Sequence, residues 1–241
     1  MPEAVVRYIE NKDWDEVDLV NNQILTAYSL DFAKHINNKD IPRLIQLWEN
    51  IEVNLAKEDR KFRYSLIEKN ARGRDYENSI EWLTLCGLVN RVFEVRTLRL
   101  PLSSYKNTSA FKLYLSDSGL LRTKFRFAST TVLQGDKLFV EFKGILTENY
   151  VLQSLVRQFG NEIFYWTSGN QAEVEFVLQR SDLIIPVEAK SALSTKSRSL
   201  SEYRKKYQPK ISLRFSLKNI EINEDLLSLP LYLADYTENM I

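Results

Sequence analysis

The second half of the chain is most constrained by one long helical pattern followed by three short strand patterns. Residues 139–159 carry an apolar stripe at helical spacing, and it consists of Phe142, Ile145, Leu152, Leu155 and Phe159. Residues 162–166, 172–178 and 183–190 are short apolar segments separated by turn-forming residues. A helix, an antiparallel pair of strands and a further helix indicate a mixed α/β domain.

Glu148 falls on the same stripe as the apolar residues of the long helix. It lies three positions after Ile145 and four before Leu152, so the helix turns it inward. A buried carboxylate is costly unless it is paired or binds a cation. Glu148 is therefore a candidate functional residue.

The strand patterns place further charged side chains near one another. Alternation predicts that Glu175 shares a face with Glu173 and Val177, and that Glu188 and Lys190 project from one face of the returning strand. Pro186 cannot donate a hydrogen bond to the ladder, so we expect a bulge or an edge position there.

These patterns predict that Glu148, Glu175, Glu188 and Lys190 converge on one catalytic site. Glu175 and Glu188 would ligate a hard divalent cation such as Mg²⁺, which prefers carboxylate oxygens and water. The cation would polarise a phosphodiester, and Lys190 would steady the attacking water or the developing negative charge. The alternative is a sheet edge with solvated charges, because Glu-x-Lys is a common strand pattern.

The first half of the chain has the layout of a winged helix. Residues 1–36 read as helices, and three further helices are expected from Ile41, over 59–69 and over 76–86, ended by Gly87. Two strands around a wing at 98–108 follow. Arg72 and Arg74 are candidate nucleic-acid contacts. The alternative is a winged helix used only for packing or protein contact.

A second group of basic residues follows the predicted catalytic site. Candidate contacts to a DNA or RNA backbone there are Lys196, Arg198, Arg204 and Lys205. The alternative is that this basic run is only a solvated helix face.

Composition limits the remaining classes of function. The 33 basic and 32 acidic side chains nearly cancel, so any nucleic-acid contact must come from local patches. The single cysteine, Cys86, allows neither an internal disulfide nor a cysteine zinc cage, and its apolar surroundings predict a buried side chain. With one histidine, the chain lacks the residues that a catalytic triad with a reactive cysteine or a two-histidine zinc protease site requires. No membrane span or signal peptide is expected, and the predicted location is cytoplasmic.

Several stretches together resemble a prokaryotic family of AAA-type ATP-binding proteins that end in a nuclease-like domain of unknown function. The matching residues are 1–5, 28–32, 111–121, 148–149, 172–176, 186–190 and 230–233. The resemblance implies an ATPase-lid remnant over 1–36, a winged helix over 37–125, and a PD-(D/E)XK nuclease-like domain over 126–241. Glu148, Glu188 and Lys190 match the family pattern, whereas Glu175 stands where the family often has Asp.

The resemblance also defines what this chain lacks. The family pattern begins with a P-loop ATPase module, and no Gly-x-x-x-x-Gly-Lys-Ser/Thr motif occurs here. We therefore expect no ATP site and no ATPase activity from this chain. Its expected role is a nucleic-acid-binding module with a nuclease-like, Mg²⁺-dependent site that is either active or degenerate. The alternative is a non-catalytic module that docks on an ATPase domain or another partner protein.

Overall fold

The computed structural model describes residues 1–35, 39–129, 140–169, 172–192 and 197–241. Its helices are α1 (Pro2–Asn11), α2 (Trp14–His35), α3 (Ile41–Leu55), α4 (Gly73–Leu85), α5 (Ser118–Lys124), α6 (Val140–Phe159) and α7 (Arg198–Tyr207). Its strands are β1 (Val89–Val95), β2 (Lys106–Leu115), β3 (Ile163–Thr167), β4 (Glu173–Arg180), β5 (Leu183–Ala189), β6 (Ser212–Ser216), β7 (Glu221–Asn223) and β8 (Leu226–Pro230). The expected mixed α/β class is confirmed.

The chain forms two compact units. The first contains residues 1–90 and 113–142, and the second contains residues 91–112 and 143–241. The sequence predicted domain boundaries after residues 36 and 125. Those boundaries remain predictions, because compact units and domains are defined differently.

In the first unit, an aromatic contact holds α2 against α3 and α4. Phe32 is almost fully buried, and its ring meets the rings of Trp48 and Trp82 edge-on at centroid distances of 5.6 Å each. Such aromatic pairs add stabilisation beyond the area that they bury. Helix α3 buries one face in this unit, which includes Leu44, Leu47, Trp48 and Ile51.

Two predictions for the first unit are wrong. The helix expected over 59–69 is a single 3-10 turn, Tyr64–Leu66. Arg60 adopts a left-handed backbone conformation, and the Arg63 amide donates to the Asn54 side chain at 2.7 Å, which interrupts a helical ladder. Cys86 is exposed rather than buried, because it caps the end of α4 beside Gly87, whose φ of 69° turns the chain away.

The second unit is built on a mixed sheet of eight strands in the order β2-β1-β3-β4-β5-β6-β8-β7. Strands β3, β4 and β5 are antiparallel neighbours, and β6 is parallel to β5 after the crossover through α7. Strand β1 runs parallel to β3, with Glu94 opposite Tyr165. The β1–β2 hairpin therefore continues into this sheet, and the winged-helix assignment of 37–125 stays a prediction.

A β-bulge interrupts β4 where the sequence predicted strict alternation. Phe164 pairs with Val177, but Trp166 pairs with Val174, so two residues of β4, Glu175 and Phe176, oppose the single residue Tyr165. Val174 and Val177 consequently lie in the same core cluster, which corrects the prediction that they occupy opposite faces. The bulge therefore brings Val177 onto the face of Val174, and Glu175 is one of its two residues.

Pro186 lies neither at a bulge nor at a sheet edge, the two alternatives that the sequence predicted. It lies opposite Val177 in the regular β4–β5 register, on a strand that has neighbours on both sides. Pairing with β6 begins at the next residue, Val187, so the proline precedes the part of β5 that needs donors on that side.

Candidate active site

The site lies where β4 and β5 come together near the bulge. The last residues recorded in the ladder are Phe176 and Val187, and Glu175 and Glu188 are each one residue beyond them. Lys190 lies two residues further along the chain, just past the end of β5. An antiparallel pair thus brings together three of the side chains that the sequence predicted.

Lys190 bridges the two strand carboxylates. Its Nζ lies 3.3 Å from Oε1 of Glu175 and 3.3 Å from Oε1 of Glu188. Its backbone amide donates to the carbonyl of Phe215 at 2.8 Å, which fixes it against β6. The side chain keeps 30% of its surface exposed, so the ammonium is accessible from outside the protein.

Glu188 is held between two cations. Its side chain is 2% exposed, with Lys190 at Oε1 and the Nε of Arg214 at 2.7 Å from Oε2. Arg214 lies directly opposite Glu188 in the parallel pairing of β5 with β6. Arg214 was not among the predicted site residues, although a single charged residue between the apolar Leu213 and Phe215 was a signal for it.

Glu148 approaches the same group from helix α6. It is 3% exposed, which confirms the inward position predicted from the stripe, and Ile145, Leu152 and Leu155 on that stripe are also buried. Its charge contributes to raising the pKa of Glu175, so the two carboxylates lie within electrostatic reach. The structure thus groups Glu148 with the three strand residues.

Burial raises the pKa of Glu175 to about 7. Lys190 opposes this shift, while the negative charges of Glu148 and Glu188 add to it. Burial by itself lowers the pKa of Lys190, but Glu175 and Glu188 outweigh it, and the pKa of Lys190 is raised. Lys190 is therefore a cation, while Glu175 takes up or releases a proton near neutral pH.

The donor set fits a hard divalent cation held by Glu175 and Glu188. Oε2 of Glu175 is buried and has no hydrogen-bond partner among the described residues. Neither at this site nor elsewhere in the described residues do three or more His, Cys, Asp or Glu side chains form a group that could hold a metal ion. Mg²⁺ sites commonly use only one or two carboxylates and complete their shell with water and substrate phosphate, so two glutamates are enough.

A second polar cluster lies beside this site in the same sheet. Lys112 is fully buried, forms an ion pair with Glu173, and places its Nζ 4.9 Å from the ring centre of Tyr165. The Tyr165 hydroxyl donates to Oε2 of Glu94 at 3.3 Å. Tyr165 lies opposite the bulge and Glu173 lies two residues before Glu175, so this cluster borders the strand segment that carries Glu175.

The predicted nucleic-acid contacts differ in how accessible they are. Arg72 and Lys205 are exposed, Arg74 is 74% exposed with Asp75 at 4.0 Å, and Arg198 pairs with Glu202 at 2.7 Å. Arg204 instead donates hydrogen bonds to Asp225 from both Nε and Nη2. Lys196 lies outside the described residues.

Fold and site together define a mixed α/β protein in which buried acids, an arginine and a partly exposed lysine meet at its central sheet. Residues 1–131 match the family described as a domain of unknown function (DUF8612), and the chain belongs to this family. Residues 143–232 match a second domain of unknown function (DUF4143). Neither the curated proteins nor the solved structures contain a match to the chain. Across the described residues, no helix is both long and apolar enough to cross a membrane.

Proposed function

We propose that the second unit is a nucleic-acid-binding module with a PD-(D/E)XK nuclease-type site that hydrolyses phosphodiesters with Mg²⁺. The observation that carries the proposal is the contact of Lys190 with Glu175 and Glu188 on neighbouring interior strands. Glu148 of α6 lies within electrostatic reach of the same carboxylates. Acids and a lysine converge here in the order in which a nuclease core supplies them.

The order of elements supports the same proposal. Helix α6 carries the inward Glu148, the antiparallel strands β3, β4 and β5 carry the remaining residues, and α7 crosses over to β6, which is parallel to β5. This is the helix, hairpin and basic-helix order expected of the nuclease-like domain. Because a fold alone does not define an activity, the proposed activity depends on the site residues.

Each site residue has a role that follows from its contacts. Glu175 and Glu188 would hold the cation, which when bound supplies Lewis-acid polarisation of the phosphodiester. The Lys190 ammonium has three N–H donors and only two recorded carboxylate contacts, so one donor is left for a phosphate oxygen or a water. Glu148 adds negative charge that favours a cation over a second anion at this point.

Metal titration tests the site without assuming a substrate. Isothermal titration with Mn²⁺ should show binding by the wild-type chain and a loss of about ten-fold or more in affinity for Glu188→Gln, because a charged ligand is replaced by a neutral one. Glu162→Gln is the matched control, since Glu162 is exposed and lies outside the site. Equal Mn²⁺ affinity in all three proteins would rule out the metal site.

Cleavage is tested with Lys190→Met, which keeps an unbranched side chain one atom shorter and removes its charge. We expect this variant to bind Mn²⁺ at least as well as the wild-type chain, because a competing cation is gone, and to lose cleavage of labelled single-stranded and double-stranded DNA and RNA. Cleavage by Lys190→Met at the wild-type rate would contradict the role given to Lys190.

A second candidate function is docking on a partner protein, and one observation favours it. Apolar side chains on α1 and α2 are more than half exposed, and they are Val5, Val6, Ile9, Leu19 and Leu30. The second matched domain is often found in AAA-ATPase-associated proteins, so the candidate partner is an ATPase module. Sedimentation with a purified ATPase module of such a protein tests this function, and replacing Val5 and Ile9 by Ser should abolish co-sedimentation.

A further inference from the structure

Arg214 has more hydrogen-bond donors than its interaction with Glu188 uses. It projects from β6 between the buried residues Leu213 and Phe215, and its side chain is 13% exposed. Its recorded contact is a single one, from Nε to Oε2 of Glu188. A guanidinium has five N–H donors in a planar fork, so four remain on the two terminal nitrogens.

The terminal nitrogens of Arg214 are open to a ligand. They make no hydrogen bond to the described residues, and they are not among the described polar atoms that are both buried and unpaired. Solvent therefore reaches them. They lie on the same guanidinium as the Nε that holds Glu188, and Glu188 also contacts Lys190, so these donors belong to the carboxylate–lysine site.

Arg204 provides an internal comparison. It uses both Nε and Nη2 for Asp225, and this two-point contact turns the planar edge of the guanidinium toward a carboxylate. Arg214 shares only one nitrogen with its carboxylate and keeps its terminal pair free of recorded partners. The two arginines therefore differ in how many guanidinium nitrogens remain available to a ligand.

Charge at the site favours an anion once a divalent cation is present. Glu148, Glu175 and Glu188 face the two cations Lys190 and Arg214, and a divalent cation on the carboxylates would make the group net positive. A planar guanidinium matches a phosphate with two parallel hydrogen bonds.

We propose that Arg214 binds a phosphate group of the nucleic-acid substrate through its terminal nitrogens, while its Nε keeps Glu188 in place. This inference rests on the proposed function and adds a phosphate-binding residue to it. The contact also orients Glu188, so one side chain links the carboxylate to the bound phosphate.

The test measures phosphate binding and metal binding separately. The probe is a fluorescein-labelled ten-nucleotide DNA with phosphorothioate linkages, followed by fluorescence anisotropy in Mn²⁺ and again in EDTA. We expect Arg214→Gln to weaken probe binding by about ten-fold or more, since it removes charged hydrogen bonds to phosphate. Arg214→Lys should also weaken it, because an ammonium cannot hold Glu188 and fork a phosphate together.

The controls separate a phosphate contact from a structural role. Lys218→Gln removes one exposed charge close to the end of β6 and should leave probe affinity within about two-fold. Circular dichroism and thermal melting check that Arg214→Gln and Arg214→Lys remain folded, and both should lose much less Mn²⁺ affinity than Glu188→Gln, which removes the ligand itself.

Two kinds of result would overturn the proposed role of Arg214. Unchanged probe affinity in Arg214→Gln, or no binding of the probe by the wild-type chain, excludes a phosphate contact. A loss of Mn²⁺ affinity as large as that of Glu188→Gln, with proportionate loss of probe binding, leaves Arg214 as a residue that only holds Glu188. Failure of the metal site appears in the Mn²⁺ titration of Glu188→Gln and is distinguishable from all of these.

Discussion

At the residue scale, Glu175 is an unusual carboxyl group, and it is one of the two bulge residues of β4 opposite Tyr165. Its neighbours are the Lys190 ammonium and the charges of Glu148 and Glu188. Burial and two neighbouring negative charges then favour its neutral form, and Lys190 only partly compensates. The protonation of this residue is therefore tied to folding.

The first prediction concerns Glu175→Gln and pH. The pKa of Glu175 is about 7 in the folded chain and near 4.5 when unfolded, so the wild-type chain loses stability as pH rises between these values. Glutamine does not titrate, and the stability of Glu175→Gln relative to wild type should rise by on the order of 2 kcal/mol from pH 5 to pH 8. Urea unfolding at both pH values measures this difference.

The control for that prediction is Glu162→Gln, which removes an exposed carboxylate. Its stability relative to wild type should stay constant between the two pH values. A similarly constant difference for Glu175→Gln would show that the pKa of Glu175 is not raised.

The second residue-scale prediction concerns Cys86. Because its side chain is exposed at the end of α4, the native chain should react with one equivalent of a thiol reagent such as Ellman's reagent without denaturant. A thiol that reacts only after unfolding would contradict the exposed position. Cys86→Ser, which leaves no thiol in the chain, should give no reaction.

At the scale of elements, the ion pair of Arg204 with Asp225 joins α7 to the loop that precedes β8. Asp225 also accepts a hydrogen bond from the Ser212 hydroxyl at 2.9 Å, so it connects α7, β6 and β8. The Arg204 hydrogen bonds, although burial opposes them, hold the pKa of Asp225 below its usual value. This connection keeps the crossover helix registered on the sheet that carries Glu188 and Arg214.

The third prediction is that Asp225→Asn destabilises the chain by about 1–2 kcal/mol at pH 7, since it leaves the partly buried Arg204 without its anion. The pKa of Asp225 is lowered on folding, so its contribution exists above the unfolded pKa and disappears as pH falls through the folded pKa. Urea unfolding at pH 7 and pH 3.5 should show the gap narrowing at the lower pH.

Glu224→Gln is the matched control for Asp225. Glu224 lies 3.9 Å from the same guanidinium but is 91% exposed, so solvent screens its charge. This substitution should leave the free energy of unfolding unchanged within the error of measurement. Equal losses for the two substitutions would show that the burial of the Asp225 pair does not matter.

At the scale of the whole molecule, the family matches and the compact units divide the chain differently. Residues 91–112 lie inside the segment that matches the first family, yet they belong to the second compact unit. There β1 pairs with β3 at Phe93, Glu94 and Val95, which makes β3 an interior strand. The sheet of the second unit is therefore incomplete without residues from the first half of the chain.

The fourth prediction follows from that arrangement. A fragment of residues 140–241 lacks β1 and β2, so it exposes the edge of β3 and the buried side chains of Phe164 and Tyr165. We expect it to melt at a lower temperature than the full chain or to aggregate, as followed by circular dichroism and light scattering. Melting of the soluble fragment at the temperature of the full chain would show that the hairpin adds no stability.

Local sequence patterns determined the elements and much of the candidate site. Helical spacing placed Glu148 inward, and the short connection between β4 and β5 brought Glu175 close to Glu188 and Lys190, because a hairpin fixes its own pairing. The same patterns failed at residues 59–69, where a left-handed residue and side-chain hydrogen bonds competed with the helical ladder.

The tertiary structure decided what depends on strands that are distant in sequence. The pairing of Arg214 with Glu188 and the extension of the sheet by β1 arise from registers between strands that are not consecutive in the chain. The bulge at Glu175 arises from the register between β3 and β4. Alternation within a strand gives its two faces, but it fixes neither the neighbour nor the register. The sequence by itself therefore identified the acids and the lysine, while the fold supplied the arginine beside them and the burial that changes their chemistry.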